Sequence, residues 1–234
     1  MAVTELMHIL KPHLPVLPND SHTLLHTPRS CNITRLKSGG NYCHLGLAKG
    51  LRELLKEGPL PHTSSLELQF NIDGMSLFKC SNLSLWPIFC LLKNPGYGEP
   101  FVVGIYHGRE KLADAVEFLL EFVGETSDLM KNGVTIGDVL YNVTIHSFVC
   151  NAPATAFVKS VKCHSGYSAC EKCVACAEYC GKVIYRDTNA PLHTDISFDE
   201  LADEKHHSGP CPLKPLPAIT AEMVYSRTRG VCCD

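Results

Sequence analysis

The stretch Leu66–Phe78, LELQFNIDGMSLF, sets one acid, Asp73, at the end of a run that alternates apolar with polar residues. Such alternation predicts a half-buried strand over SLELQFNI, ending at Asp73. Two readings of the acid compete. Asp73-Gly74 is a common hairpin-turn dipeptide. A carboxylate at a strand end is also where acids converge in sites that hold divalent cations.

The elements downstream decide what kind of sheet this strand joins. Leu85–Leu92 (LWPIFCLL) and Pro100–Gly108 (PFVVGIYHG) read as two further strands on short connections, an antiparallel meander. REKLADAVEFLLEFVGETSDLMKNG follows as an amphipathic helix from Arg109 to Lys131, with Leu112, Val116, Leu119, Leu120 and Val123 on one face and Gly133 after its end. Its outward acids read as ordinary solubility. Val139–Cys150 (VLYNVTIHSFVC) is expected to be a long buried strand through Leu140, Val143, Ile145, Phe148 and Val149, and APATAFVKSV opens a helix with Pro153 in its first turn. A crossover helix makes the fourth strand parallel to one of the first three. The predicted class is therefore α/β, a ribonuclease H-like mixed sheet of three antiparallel strands, a helix and a parallel fourth strand. In that arrangement Asp73 and the residue after the fourth strand, Asn151, end neighbouring strands.

Upstream, residues 11 to 30 carry four prolines and three histidines without a sustained period and read as an extended leader. Leu47, Leu51, Leu54 and Leu55 mark a helix before Gly58. The expected organisation is a leader and helix over 1–62, the core over 63–162, a Cys/His-rich insertion over 163–217 and a divergent, truncated tail over 218–234.

Bulk properties limit the functions available. A chain of 234 residues with 45% hydrophobic content supports one good core, and a formal net charge of −3 gives no global attraction to nucleic acid. Basic residues that follow the fourth strand, Lys159, Lys162, Lys172, Lys182 and Arg186, are placed for phosphate contact or are plain solvated surface. Met1–Pro18 shows neither a basic segment before a long apolar core nor a membrane span, so a nuclear or cytoplasmic, non-secreted protein with reduced thiols is expected, and the sequons at Asn19, Asn32, Asn82 and Asn142 are read as chance.

Thirteen cysteines, nine from Cys150 onward, cluster in a way that points to metal more than to a disulfide framework. Cys170 and Cys173 form a C-x-x-C knuckle, and His206 and His207 follow after 32 intervening residues. Two thiolates and two imidazoles suit a closed tetrahedral zinc site. Cys163, His164, Cys176 and Cys180 compete as ligands, and reduced cysteines without metal are the plainer alternative. No single thiol stands out as a catalytic nucleophile.

Together FNIDGMSLFKCSNLSLWPI (Phe70–Ile88), PFVVGIYHG, FVCNAPATAFVKSVKCHSGYSACEKC (Phe148–Cys173) and HHSGPCPLKPLP (His206–Pro217) resemble transposases of the En/Spm (CACTA) group. The resemblance spans about residues 20 to 220 and favours the site reading of Asp73. It implies a ribonuclease H-like core with three metal-binding acids, Mg2+ or Mn2+ as cofactor, structural Zn2+ in the insertion, and DNA cleavage and joining at transposon ends. No membrane partner is implied, and an oligomer is compatible with it. Asp73 matches the first acid, and Asn151 stands where the family has its second. Only Glu222 and Asp234 remain for the third. These departures imply a decayed copy without nuclease activity; the alternative is a zinc-stabilised DNA- or protein-binding module.

Overall fold

The computed structural model describes residues 2–24, 31–57, 63–77, 83–94, 99–109, 112–163, 165–216 and 224–226. The chain forms two compact units, Met1–Asn32 and Ile33–Asp234. The first holds helices α1 (Ala2–Leu10) and α2 (Ser21–Leu24). Asp20 caps α2 by accepting from Thr23 N at 2.9 Å.

The second unit runs β1 (Ile33–Arg35), β2 (Asn41–His44), α3 (Leu47–Glu57), β3 (Ser65–Ile72), β4 (Met75–Ser76), β5 (Ser84–Leu92), β6 (Phe101–Gly108), α4 (Ala115–Asn132), β7 (Val134–Ile136), β8 (Val139–Cys150) and α5 (Ala152–Lys159). It continues with β9 (Glu178–Tyr179), β10 (Val183–Ile184), α6 (Asp195–Asp199) and β11 (Val224–Ser226). The fold is α/β around a mixed, mostly antiparallel sheet with strand order β1-β2-β6-β5-β3-β8-β11. Strands β3, β5 and β6 form the antiparallel meander, and β8 lies parallel to β3. Two additions lie outside the predicted core: β1 and β2, within 1–62, extend the sheet past β6, and β11, within 218–234, pairs parallel with β8.

Alternation explains β3. Leu66, Leu68, Phe70 and Ile72 are fully buried, while Glu67 is exposed. The partner strand β8 breaks its own alternation. Leu68 pairs with Ile145 and Gln69 with Ser147, so His146 is a bulge residue. An extra residue reverses the parity of every side chain beyond it. Tyr141, Val143 and Ile145 therefore share the core with Phe148 and Cys150. The expected inward Leu140 is 57% exposed, and Tyr141 takes its place.

Helix α4 also corrects the predicted face. It begins at Ala115 because the Asp114 side chain accepts from Val116 N and Glu117 N. Phe118, Leu119, Phe122 and Val123 are buried, whereas Val116 and Leu120 point outward. The larger aromatic rings set the inner stripe: Phe118 meets Tyr42, Trp86 and Tyr106 edge-on, and Phe122 meets Phe70. Nor are the acids of α4 idle on a solvated face. Glu117 accepts from Ser38 N at 3.0 Å and Ser38 Oγ at 2.8 Å, and Glu125 accepts from Leu47 N at 2.6 Å and Ala48 N at 3.0 Å. About two turns apart, they tie the β1–β2 hairpin and the N-terminus of α3 to α4.

The insertion leaves the core after α5. It is closed at its neck by Lys162 N donating to His206 O and Ser208 N donating to Ser160 O, each at 2.8 Å. A satellite cluster of Cys170, Cys173 and Ala175 packs with Tyr185 and Ala190, and Leu213 and Leu216 return to the main core.

Candidate functional site

The ends of β3 and β8 lie side by side because Ile72 pairs with Cys150 in the parallel register. Asp73 and Asn151 are the next residue on each strand. Asn151 Nδ2 donates to Asp73 Oδ1 at 2.5 Å. Its carbonyl Oδ1 accepts from Ala154 N at 2.9 Å, so Asn151 is also the N-cap of α5. Because one end of the amide meets an N–H and the other a carboxylate, its orientation is fixed by both partners.

Asp73-Gly74 is not a hairpin turn. Met75 and Ser76 continue the same arm, pairing with Leu85 and Ser84 of β5. Gly74 is required by packing: a Cβ there would stand 2.4 Å from Trp86 Cε2. Trp86 in turn packs on Phe157 of α5 at a centroid distance of 5.1 Å. The indole thus holds the strand end against the helix that Asn151 caps.

The donor set tests the divalent-cation expectation. Two-ion catalysis needs several hard oxygen ligands converging on one point. Here the amide presents an N–H to the carboxylate and its oxygen to a backbone donor, which leaves a cation one carboxylate. The pair as arranged does not fit a two-ion cluster. Glu222 and Asp234, the remaining acids considered for a third position, lie outside the described residues.

Neighbouring groups complete the surroundings. Burial, with a smaller push from the Asp73 carboxylate, brings the Cys150 thiol up to about 11, so this thiol stays protonated at neutral pH. Lys159, proposed for phosphate contact, is 6% exposed and cannot serve there. It pairs with Glu171 at 3.8 Å, and burial holds its amine below the ordinary lysine range against the pull of that carboxylate.

In the insertion, Cys173 Sγ lies 3.4 Å from Cys170 Sγ, too far for a bond between them. Cys170 is disulfide-bonded. His206 Nδ1 is bonded to Ser168 O at 2.9 Å, and its ring meets that of His207 at 5.3 Å. A third imidazole, not singled out by spacing, stacks on His206 from the other side: His193, at 4.8 Å. His164 lies outside the described residues. Among the described residues no three or more His, Cys, Asp or Glu side chains are arranged to hold a metal ion, and no helix is long and apolar enough to cross a membrane.

No protein-family model matches the chain, and no curated protein matches it significantly.

Proposed function

We propose that this chain is a transposase-derived ribonuclease H-like domain whose ancestral chemistry was metal-assisted DNA cleavage and strand transfer, and which no longer cuts. The observation that carries this reading is the Asp73–Asn151 contact at the tips of adjacent parallel strands. The strand order β6-β5-β3-β8-β11, with α4 crossing between β6 and β8, is consistent with it. An acid at the first tip and its uncharged isostere at the second are what remains when one charge of a cation cradle is lost. Without that charge the amide turns its N–H to Asp73, and the carboxylate no longer requires a metal ion as its partner.

The test is nicking of supercoiled DNA by the purified chain in Mg2+ and in Mn2+, beside Asp73→Ala. No Asp73-dependent cutting is expected; cutting that Asp73→Ala abolishes would overturn the inactive reading.

A second reading is a zinc-stabilised DNA- or protein-binding module without catalysis, for which Cys173, His206 and His207 remain as ligands of the expected set, since Cys170 is disulfide-bonded. The bond from His206 Nδ1 to a backbone carbonyl favours it, since this is how a ligating imidazole is commonly oriented from behind. Metal analysis of the purified protein tests it.

A further inference from the structure

Among the described residues, the helices that pack on the sheet of the second unit all lie on one face. Phe118 and Phe122 of α4 meet Tyr106 and Phe70, Phe157 of α5 meets Trp86, and Leu47, Leu51 and Leu55 of α3 join the same core. On that face Leu66, Leu68, Phe70, Ile72, Ile88 and Val103 are fully buried. The remaining helix of the unit, α6, buries none of its residues.

Register sets the opposite face. Phe89 of β5 lies between Val102 of β6 and Asn71 of β3, and the row continues to Val149 of β8. The next row is Leu91, Gln69 and Ser147. Ile105 pairs with Pro87, two residues before Phe89 on β5, and so shares this face. Phe89, Leu91, Val102, Ile105 and Val149 all keep part of their surface exposed, although each belongs to an interior strand.

Two features suit this face to being covered. Its polar side chains are already paired within the sheet: Gln69 Nε2 donates to Ser147 Oγ at 2.9 Å, and Asn71 Nδ2 donates to Val149 O at 2.6 Å. Covering them leaves no such donor unsatisfied. Its charged and titratable groups stand at the ends, with Glu67 beside Lys93 at one and His107 at the other, all exposed. No lysine or arginine lies among the central rows, so the face offers nothing to a phosphate backbone. An apolar centre within a polar rim is the anatomy of a protein interface.

The extent of the face selects its occupant. Strands β3, β5, β6 and β8 are each eight or more residues long. At about 4.8 Å between strands and about 3.3 Å per residue they present about 500 Å2. One helix, about 10 Å across, covers about half of that, whereas a second sheet covers all of it. Two such faces bury about 1,000 Å2 together, the size at which specific interfaces begin. Another copy of this chain supplies a sheet of matching extent, with an apolar centre and no central charge to repel its partner.

We infer that two copies of the chain associate through this face, sheet against sheet about a two-fold axis, with Phe89, Leu91, Val102 and Ile105 of each at the centre. The pairing is independent of whether the chain once cut DNA.

Sedimentation of the full chain over a range of concentrations is expected to show monomer and dimer in equilibrium, with Phe89→Glu or Leu91→Glu raising the dissociation constant at least about tenfold. Leu120→Glu, on the exposed side of α4, should leave it unchanged. Trp86 packs on the helix-covered face, so its fluorescence shows whether each variant is folded. Where a glutamate unfolds the chain, the milder Phe89→Ala and Leu91→Ala should still weaken the dimer. A monomer at every concentration, as when another segment of the chain or an unrelated partner takes the face, would overturn the inference. So would a dimer indifferent to Phe89 and Leu91, or open-ended aggregates in place of a closed pair.

Discussion

Asp73 stands directly opposite Pro87. The β3–β5 ladder ends with Ile72 on Ile88 and resumes as β4–β5 with Met75 on Leu85, two residues intervening on each side. Proline has no N–H to give a ladder, and pairing lapses at Pro87 on this side alone, while on the other it stays paired with Ile105 of β6. The lapse falls where the Asp73 side chain reaches across to Asn151 rather than into a regular rung.

Gly74, opposite Trp86, should tolerate no larger residue. Gly74→Ala forces its methyl into the indole ring and is expected to destabilise the chain by about 1–3 kcal/mol, the usual range for overpacking. Trp86 is the one tryptophan in the sequence, so urea unfolding followed by its fluorescence reads both the stability and the local packing. An unchanged midpoint and emission would contradict the contact.

Asn151→Asp separates the two roles of that residue. Aspartate caps a helix as well as asparagine, so α5 is retained. What changes is the partner of Asp73, which becomes a second carboxylate at a distance where two like charges cannot both remain unscreened. Thermal melts should show a loss of stability at neutral pH that millimolar Mg2+ or Mn2+ restores, whereas the unmutated chain should not respond. Asn151→Ala loses the cap and should cost about 0.5–2 kcal/mol regardless of metal.

Much of this site was legible because it depends on strand order. The period-two pattern of Leu66, Leu68, Phe70 and Ile72 and the crossover over α4 suffice to place positions 73 and 151 together. The face of β8 was not legible, because the bulge at His146 inverts the parity on which Leu140 was judged. Pattern alone also could not show that Glu117 and Glu125 have backbone partners, which come from segments about 80 residues away. His193 escaped notice for the same reason: it reaches the other imidazoles through the pairing of Cys173 with Leu192, not through proximity in sequence.

Glu125 should give the protein an acid-sensitive fastening. Burial raises its pKa, but donation by His44 and by the amides of Leu47 and Ala48 outweighs burial and holds the carboxyl below the usual range. A carboxylate depressed on folding contributes stability that is complete above its unfolded value, about 4.3, and is lost as pH falls through the lower folded value. Glu125→Gln keeps the shape and removes the charge. It should cost about 1.5–3 kcal/mol at pH 7, as for a hydrogen-bonded ion, and flatten the acid limb of a stability–pH curve. Equal slopes for the two proteins below pH 4 would refute the assignment.

Lys159 and Glu171 join the helix capped by Asn151 to the cysteine knuckle, and their pairing makes an asymmetric prediction. The lysine is buried while Glu171 keeps 31% of its side-chain surface, so the two partners do not lose equal hydration. Removing the acid strands a buried ammonium, and Glu171→Ala should cost about 1–3 kcal/mol. Lys159→Met removes the buried charge itself and fills the same volume, so it should be near neutral or stabilising, because desolvation of a buried ion can exceed what its pairing returns. In the Lys159→Met background Glu171→Ala should then cost almost nothing. A double-mutant cycle by chemical denaturation measures this directly. If Lys159→Met proved as damaging as Glu171→Ala, the pair would be a net source of stability rather than a tolerated buried charge, and the docking of the knuckle on α5 would depend on it.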